Sequence, residues 1–313
     1  MARVDPPDGS RFEEASLGGT FEDWTARGAD ATQRGDFFAA LGAYTRAHEL
    51  ALASGDALRL DKADLNLAMV RIQLGQAREG EDGLREILLR TTDTRIAFSA
   101  AYNLASSLRK QGKLEHASRY ARRALERAQA IGSEEMLAPV HNLLGNILLN
   151  QNYLEEALQE YQTALTIRDR QDGDTRYSRA ILSENIGYCL ILKKDLEEGL
   201  NRIREALALA EEVGDRRCQA ECLQDLCYGL LLRGEVPEAM AMGEAALERA
   251  KEGAYPDIEE NCHYLLGELG AKMGDLDRRD RHFESLQSLH PEIPFLKEFL
   301  CAVDVTGMIT LKR

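Results

Sequence analysis

One spacing pattern occurs seven times along this chain and constrains its fold more than any other feature. In the clearest copy, Gly145 is followed by Asn152 after seven residues, Ala157 after twelve, Tyr161 after sixteen and Ala164 after nineteen. The small residue that opens each copy recurs at Gly28, Ala68, Ala105, Gly145, Gly187, Cys227 and Gly267. Successive copies are 40, 37, 40, 42, 40 and 40 residues apart, and such a period predicts stacked supersecondary units.

Each copy has the pattern of a helical hairpin. Apolar residues recur at helical spacing before and after a bend, and the small residues let the two helices approach closely. The predicted bend residues are Gly35, Gly75, Gly112, Asn152, Lys194, Gly234 and Gly274. A single hairpin cannot bury both its faces, so neighbouring hairpins must stack. The sequence therefore predicts an all-α superhelical solenoid of about seven antiparallel helix pairs.

The landmark residues resemble the tetratricopeptide repeat. The matching positions are Trp24, Gly28, Gly35, Ala40, Tyr44 and Ala47 in the first copy and the closing Pro291 in the last. The resemblance covers residues 21 to 291 and implies a right-handed superhelix. The usual period is about 34 residues. The longer period here is similar to the extended repeats of kinesin-light-chain-type adaptors and of bacterial peptide-sensing regulators.

Three segments follow from this pattern. Residues 1–20 are predicted to be a flexible N-terminal tail, 21–290 to form seven repeats, and 291–313 to form a capping helix and a short apolar tail. The residues expected to cover the last repeat are Phe295, Leu296, Phe299, Leu300 and Val303. The apolar tail contains Val305, Met308, Ile309 and Leu311, and we expect it to dock either into the solenoid or onto a partner.

The acidic balance of the chain disfavours several classes of partner. The 39 basic and 53 acidic residues give a formal charge of −14, which repels nucleic-acid phosphates and anionic lipids. No apolar run reaches the roughly 18 to 20 residues needed to cross a bilayer, and the N-terminus lacks a signal-peptide core. We therefore expect a cytoplasmic protein that binds neither nucleic acid nor membrane.

The sequence carries no constellation typical of catalysis. It lacks the GxxxxGK, GxGxxG, HExxH and GxSxG motifs, and its six histidines share no spacing. The six cysteines form no CxxC pair and are expected to be reduced and buried: Cys189, Cys218, Cys222, Cys227, Cys262 and Cys301. We predict that the protein is not an enzyme and requires no cofactor or metal.

The resemblance implies that the first helix of each hairpin lines a concave groove. Positions two or three residues before the opening small residue, or one after it, would then point inward. The predicted binding residues are Asn66, Tyr102, Asn103, Arg109, Asn142, Asn146, Asn185, Tyr188, Gln224, Tyr228 and Tyr264. An asparagine amide can pair with the backbone of an extended peptide, and tyrosine offers apolar area with a polar tip. Alternatively, the asparagines tie adjacent repeats together.

Charge is graded along the predicted groove. Basic residues lie on the first helices of repeats two and three, and acidic residues lie on those of repeats five to seven. The residues are Lys62, Arg71, Arg109 and Lys110 in the former group, and Glu184, Glu221, Asp225 and Glu268 in the latter. This gradient would orient an extended ligand with its acidic part or C-terminus toward the early repeats. Solvated helix faces would give similar residue lists.

These features favour a non-catalytic scaffold or adaptor that binds an extended peptide segment or a helix of another protein. A second hypothesis is a regulator gated by a signalling peptide, without its own DNA-binding domain. A third is a structural subunit of a larger assembly, with self-association through the C-terminal tail. Partner and pathway are not encoded in any motif of the chain.

Overall fold

The all-α prediction is confirmed by the computed structural model, which describes residues 18–306, 311 and 312. Fifteen α-helices and no strands occur within these described residues. Residues 1–17 of the predicted flexible tail lie outside the described residues. The first helix begins at Phe21, where the Thr20 hydroxyl accepts a hydrogen bond from the Asp23 amide at 3.2 Å and caps the helix.

The chain divides into two compact units, and the division falls between Ser107 and Leu108 of the fifth helix. The helices that begin in the first unit are α1 (Phe21–Gln33), α2 (Phe37–Ser54), α3 (Ala57–Gln73), α4 (Ala77–Arg90) and α5 (Thr94–Lys110). The helices of the second unit are α6 (Leu114–Ile131), α7 (Glu134–Asn150), α8 (Leu154–Asp169), α9 (Arg176–Leu192), α10 (Leu196–Val213), α11 (Arg216–Arg233), α12 (Val236–Gly253), α13 (Pro256–Met273), α14 (Leu276–Leu289) and α15 (Leu296–Ala302). Each unit is described below by itself.

The predicted bends are the points at which the hairpins turn. All seven bend residues adopt positive φ angles between 63° and 83°. Five are glycines, which adopt this left-handed conformation without a steric penalty. Asn152 and Lys194 adopt it with φ angles of 63° and 70°. Asparagine tolerates the conformation through local hydrogen bonding, whereas lysine has no such compensation.

Close contact between paired helices explains the small residue that opens each copy. A Cβ atom added to Gly145 on α7 would lie 2.5 Å from the Tyr161 ring on α8. Gly28 on α1 has the same relation to Tyr44 on α2, again at 2.5 Å. The sixteen-residue spacing therefore pairs a glycine with the aromatic ring that covers it. Ala157, twelve residues after Gly145, is also fully buried.

The C-terminal capping helix differs from the sequence prediction. Helix α15 packs against α14 and buries Leu300, but Phe295 and Phe299 remain 74% and 52% exposed. A helix of seven residues makes barely two turns, so only one side of it can face the repeats. The prediction that these two phenylalanines and Val303, which is 41% exposed, cover the last repeat is therefore wrong.

The cysteines belong to the interior of the second unit. All six are free thiols, and five are buried, with Cys301 half-buried. Burial raises the pKa of the Cys262 thiol to about 12, which favours the uncharged form. Within the described residues, no group of three or more His, Cys, Asp or Glu side chains is placed to hold a metal ion.

Candidate peptide-binding groove

The second unit contains a cavity of about 840 Å³ whose wall is built from the first helices of successive hairpins. Each of α7, α9, α11 and α13 contributes polar side chains, and the last residues of α5 complete one end. Residues three or four apart on a helix share one face, so each helix presents a polar stripe to the cavity. The side chains are Arg109, Lys110, Asn142, Asn146, Asn150, Glu184, Asn185, Arg217, Glu221, Gln224, Asp257, Glu260 and Asn261.

Two residues near the end of the chain lie in this cavity. The main chain of Leu311 is held on both sides, because its amide donates to the Tyr188 hydroxyl at 2.7 Å and its carbonyl accepts from Asn261 Nδ2 at 2.8 Å. The carbonyl of Lys312 accepts from Asn150 Nδ2 at 3.4 Å. The groove therefore contacts backbone groups that every peptide carries, irrespective of its side chains.

The side chain of Leu311 fills an apolar part of the same site. It is 6% exposed and joins the hydrophobic core of the second unit, which includes Tyr188 and Tyr228. Its position between polar anchors gives the groove both an apolar contact and a main-chain contact at one residue.

An earlier part of the same tail contacts the last two repeats. The Thr306 carbonyl accepts a hydrogen bond from the Tyr228 hydroxyl at 3.1 Å, and the Thr306 side chain pairs with the Tyr264 hydroxyl at 3.1 Å. Thr306 is 4% exposed. Thr306 thus contacts α11 and α13, whereas Leu311 and Lys312 also contact α7 and α9.

The Lys312 ammonium group lies among acidic side chains. Nζ forms an ion pair with Glu184, lies 3.1 Å from Asn185 Oδ1 and 3.5 Å from Asp225 Oδ2, and stands 5.0 Å from the centre of the Tyr188 ring. Glu184 and Asp225 are 1% and 0% exposed. Two buried carboxylates, an amide oxygen and an aromatic face thus surround a single cation.

Burial and charge act in opposite directions at this cluster. Burial by itself lowers the pKa of Lys312, but Glu184, Asp225 and Glu221 together hold that pKa well above its usual value. Burial raises the pKa of the Glu184 carboxyl, and Lys312 opposes the rise. The same two influences act on Glu221, whose pKa is raised to about 7. The cluster therefore favours a bound cation, since the Glu184 and Glu221 carboxylates are costly to ionise without one.

Several predicted groove residues also connect neighbouring repeats. Asn185 Nδ2 on α9 donates to Asn142 Oδ1 on α7 at 3.0 Å, and Asn261 Nδ2 on α13 donates to Gln224 Oε1 on α11 at 2.9 Å. Asn146 Oδ1 accepts from the Tyr161 hydroxyl within its own hairpin at 2.8 Å. The asparagines therefore link helices, and Asn185 also faces the bound tail.

The remaining predicted residues fall into two places. Arg109 lines the cavity of the second unit. Asn66, Tyr102 and Asn103 lie in the first unit, where all three are half-buried. Asn103 Nδ2 donates to the Ser99 carbonyl of its own helix at 2.8 Å, which gives this amide an intrahelical role.

The sequence interpretation missed Asn150 and Asn261, which contact the tail backbone. Asn150 lies five residues after Gly145, and Asn261 lies six residues before Gly267. Both positions continue the inward stripe by one helical turn beyond the three positions that were considered. A longer helical stripe would therefore have included both.

Comparisons with known proteins agree with this architecture. A family model described as tetratricopeptide repeat matches residues 98–131 and 138–170, and one described as anaphase-promoting complex subunit 5 matches residues 24–92. Curated protein sequences give no match.

Solved structures give extensive matches at low sequence identity. The apo form of RapI aligns with a TM-score of 0.69 and 14% identity over 87% of this chain and 98% of its own. A Rap protein complexed with competence and sporulation factor aligns with a TM-score of 0.64 and 15% identity over 90% of this chain and 76% of its own. A tetratricopeptide repeat protein from Parabacteroides merdae aligns with a TM-score of 0.60 and 17% identity over 93% and 100% of the two chains.

The repeated hairpins and these matches show a helical repeat fold of the tetratricopeptide type. Repeat folds of this class typically serve as protein-interaction scaffolds. Among the described residues, no helix has the length and apolar character needed to cross a membrane.

Proposed function

We propose that the protein is a non-catalytic scaffold that binds an extended peptide segment of another protein in the groove of residues 108–313. The observation that carries this proposal is the seating of Leu311 and Lys312, whose main-chain groups bond to Tyr188, Asn150 and Asn261. A surface that already binds one non-helical segment through its backbone has the chemistry to bind another.

The unfilled part of the groove supports the same proposal. A cavity of about 840 Å³ remains beside the tail and falls within the range of ordinary ligand sites. Its polar lining includes Asn142 and Arg109, which offer donors to a peptide backbone or an acidic side chain. The direction of the tail, with Lys312 toward α7 and Thr306 toward α13, supplies an orientation for a peptide.

A second candidate function is regulation by a signalling peptide. It is favoured by the similarity of this chain to a Rap protein whose structure was solved with competence and sporulation factor. In that case, the peptide would occupy the groove and change the surface offered to a target. The scaffold and the regulator share one binding site and differ in whether the ligand is a segment of a protein or a free peptide.

Site-specific photocrosslinking in native cells tests the proposed site. A photoreactive phenylalanine replaces Lys110 at one end of the groove or Asp257 at the other, and both positions are exposed and line the cavity. Glu205, on the second helix of a hairpin and equally exposed, serves as the control position. Mass spectrometry then identifies the crosslinked species.

The proposal predicts that one species crosslinks from both groove positions and not from Glu205. A protein in that role identifies a scaffold partner, and a free peptide identifies the regulator. Crosslinks confined to Glu205 would place binding on the outer surface and refute the groove as the functional site.

A further inference from the structure

The tail contacts contain more detail than a general peptide groove requires. The Lys312 ammonium donates hydrogen bonds to Glu184 and to Asn185 Oδ1, and it forms an ion pair with Asp225 Oδ2 at 3.5 Å. Its side chain is only 17% exposed. A compact ammonium group matches this arrangement, whereas the planar guanidinium of arginine requires a wider, flatter site.

The residue before the lysine is also specified. Leu311 places its side chain in the core of the second unit, while its amide and carbonyl are fixed by Tyr188 and Asn261. These contacts set the register, because a shift by one residue would place the apolar side chain among the carboxylates and the ammonium in the core. The contacts therefore fit an aliphatic residue followed directly by lysine.

The acidic groups of the site lie on the repeats, while their cation lies on a segment outside the repeats. Glu184 is on α9 and Asp225 is on α11, and both are almost completely buried when the tail is bound. Loss of Lys312 would leave two buried carboxylates without their cation, which is strongly unfavourable. Another lysine that enters the groove would restore the same pairing.

We propose that Glu184, Asn185, Tyr188 and Asp225 form a lysine-recognition pocket for a partner peptide with an aliphatic-lysine pair, and that Leu311 and Lys312 are its intramolecular occupants. This inference rests on the proposed peptide-binding function. The partner must displace the tail, so the tail sets a threshold for binding. A tethered segment competes at an effective concentration in the millimolar range for short flexible tethers, so weak peptides are excluded and well-matched peptides enter.

The test uses the full chain and a fluorescent peptide with the sequence of residues 303–313, VDVTGMITLKR. Fluorescence anisotropy measures its binding to the wild type and to the Lys312→Glu variant, in which the tail is repelled from the pocket. Lys312→Ala is a second release variant that introduces no new charge. Circular dichroism verifies that each variant remains helical.

The expected result is that both release variants bind the peptide at least about ten-fold more tightly than the wild type, because the competing segment has been removed. In the release background, adding Glu184→Gln is expected to weaken binding by about ten-fold or more, because it removes one charge from the ammonium site. A peptide with arginine in place of its lysine is expected to bind several-fold more weakly, and one with glutamate is expected not to bind.

Three outcomes would overturn the inference. Equal affinity of wild type and release variants would show that the tail does not compete. Equal affinity for peptides with and without the lysine would show that the acidic pocket does not select lysine. A wild-type dimer, detected by light scattering and dissociated by Lys312→Glu, would show that the pocket holds the tail of a second copy.

The two proposals fail in different ways. Groove crosslinks in cells without lysine-dependent peptide binding would leave the scaffold function intact and refute the lysine pocket. Lysine-dependent binding in vitro without groove crosslinks would support the pocket and refute the proposed cellular function.

Discussion

Equivalent positions in the two units have different surroundings. One residue after the opening small residue, α3 of the first unit carries Met69, which is 37% exposed, whereas α11 of the second unit carries Tyr228, which is 1% exposed. Two residues before it, Asn66 on α3 is half-buried and Asp225 on α11 is fully buried. The two helices occupy equivalent positions in their repeats, but the inner face of α11 is covered by tail residues.

Buried acids show the same difference. In the first unit, Asp61 pairs with Arg90 at 2.8 Å and Glu81 pairs with Arg85 at 3.0 Å, so each cation is part of the repeats. In the second unit, Glu184 and Asp225 pair with Lys312, which belongs to the tail. A buried charge must be paired, and a cation on a separable segment makes that pairing exchangeable.

Hairpin packing should be equally sensitive in both units. Gly28→Val and Gly145→Val each force a branched side chain against an aromatic ring, and each is expected to lower the free energy of unfolding by about 3 kcal/mol. Chemical denaturation followed by circular dichroism measures the loss. Gly42, whose added Cβ would meet no atom within 4 Å, offers the control substitution Gly42→Ala. A marked difference in stability between Gly28→Val and Gly145→Val would show that the two units also differ in how their hairpins pack, and not only in whether tail residues cover their inner helices.

Removing a buried carboxylate should have opposite effects in the two units. Burial raises the pKa of Glu268 to about 7, and Asp304 adds to the rise. Because this folded-state pKa exceeds the reference value of 4.5, the folded protein binds more protons between the two values, and its stability falls as pH rises from about 4.5 to 7. Glu268→Gln is therefore expected to raise the free energy of unfolding at pH 8 by about 1 to 3 kcal/mol and to have little effect near pH 4.5.

The matched variant in the first unit is Glu81→Gln. It breaks the ion pair with Arg85 and weakens the hydrogen bond that the Ser107 hydroxyl donates at 2.8 Å. The free energy of unfolding at pH 8 is therefore expected to fall by about 1 kcal/mol. Denaturation curves at both pH values measure each variant. A destabilised Glu268→Gln protein at pH 8 would contradict the assigned cost of ionising Glu268.

The C-terminal tail residues should bind less firmly when the Tyr188 hydroxyl, which accepts the hydrogen bond from the Leu311 amide, is removed. Tyr188→Phe leaves the buried Leu311 amide without its hydrogen-bond acceptor. The free energy of unfolding is expected to fall by about 1 to 2 kcal/mol, and hydrogen exchange of that amide is expected to become about ten-fold faster. Tyr161→Phe removes a hydroxyl that bonds to Asn146 and makes a matched control. Hydrogen exchange followed by NMR distinguishes the two. Faster Leu311 exchange in both variants would mean that the tail responds to general loosening of the repeats.

Substitutions at the bend residues should change the stability least. Both described bends wholly within the first unit are glycines, whereas the second unit also uses Lys194 at φ 70°. Lys194→Gly removes the strain of a left-handed backbone conformation at an exposed site, and the free energy of unfolding is expected to rise by about 1 kcal/mol. Asn152→Gly, at φ 63°, should gain less, since asparagine tolerates the conformation better. Thermal denaturation ranks the two, and a loss of stability in Lys194→Gly would contradict the strain.

Much of the groove could be predicted because a helix repeats its directions regularly. Gly145 and its equivalents fixed the register, and the resemblance to the tetratricopeptide repeat implied which positions face the groove, so Asn142 and Asn185 were predicted; both line the cavity. Asn150 and Asn261 were missed because the stripe was followed for too few turns. The exposure of Phe295 could not be predicted, because it depends on where α15 ends and how it meets α14.

The sequence by itself determined the helical hairpins, their period and their bends. These features depend on contacts between residues close in the chain, and local periodicity encodes them. Only the tertiary structure decided between the tail's two predicted destinations and brought Lys312 to Glu184, across 128 positions of the chain. No local pattern encodes such a pairing, because a tail has no repeat to fix its register and its position depends on the shape and charge of the groove that receives it.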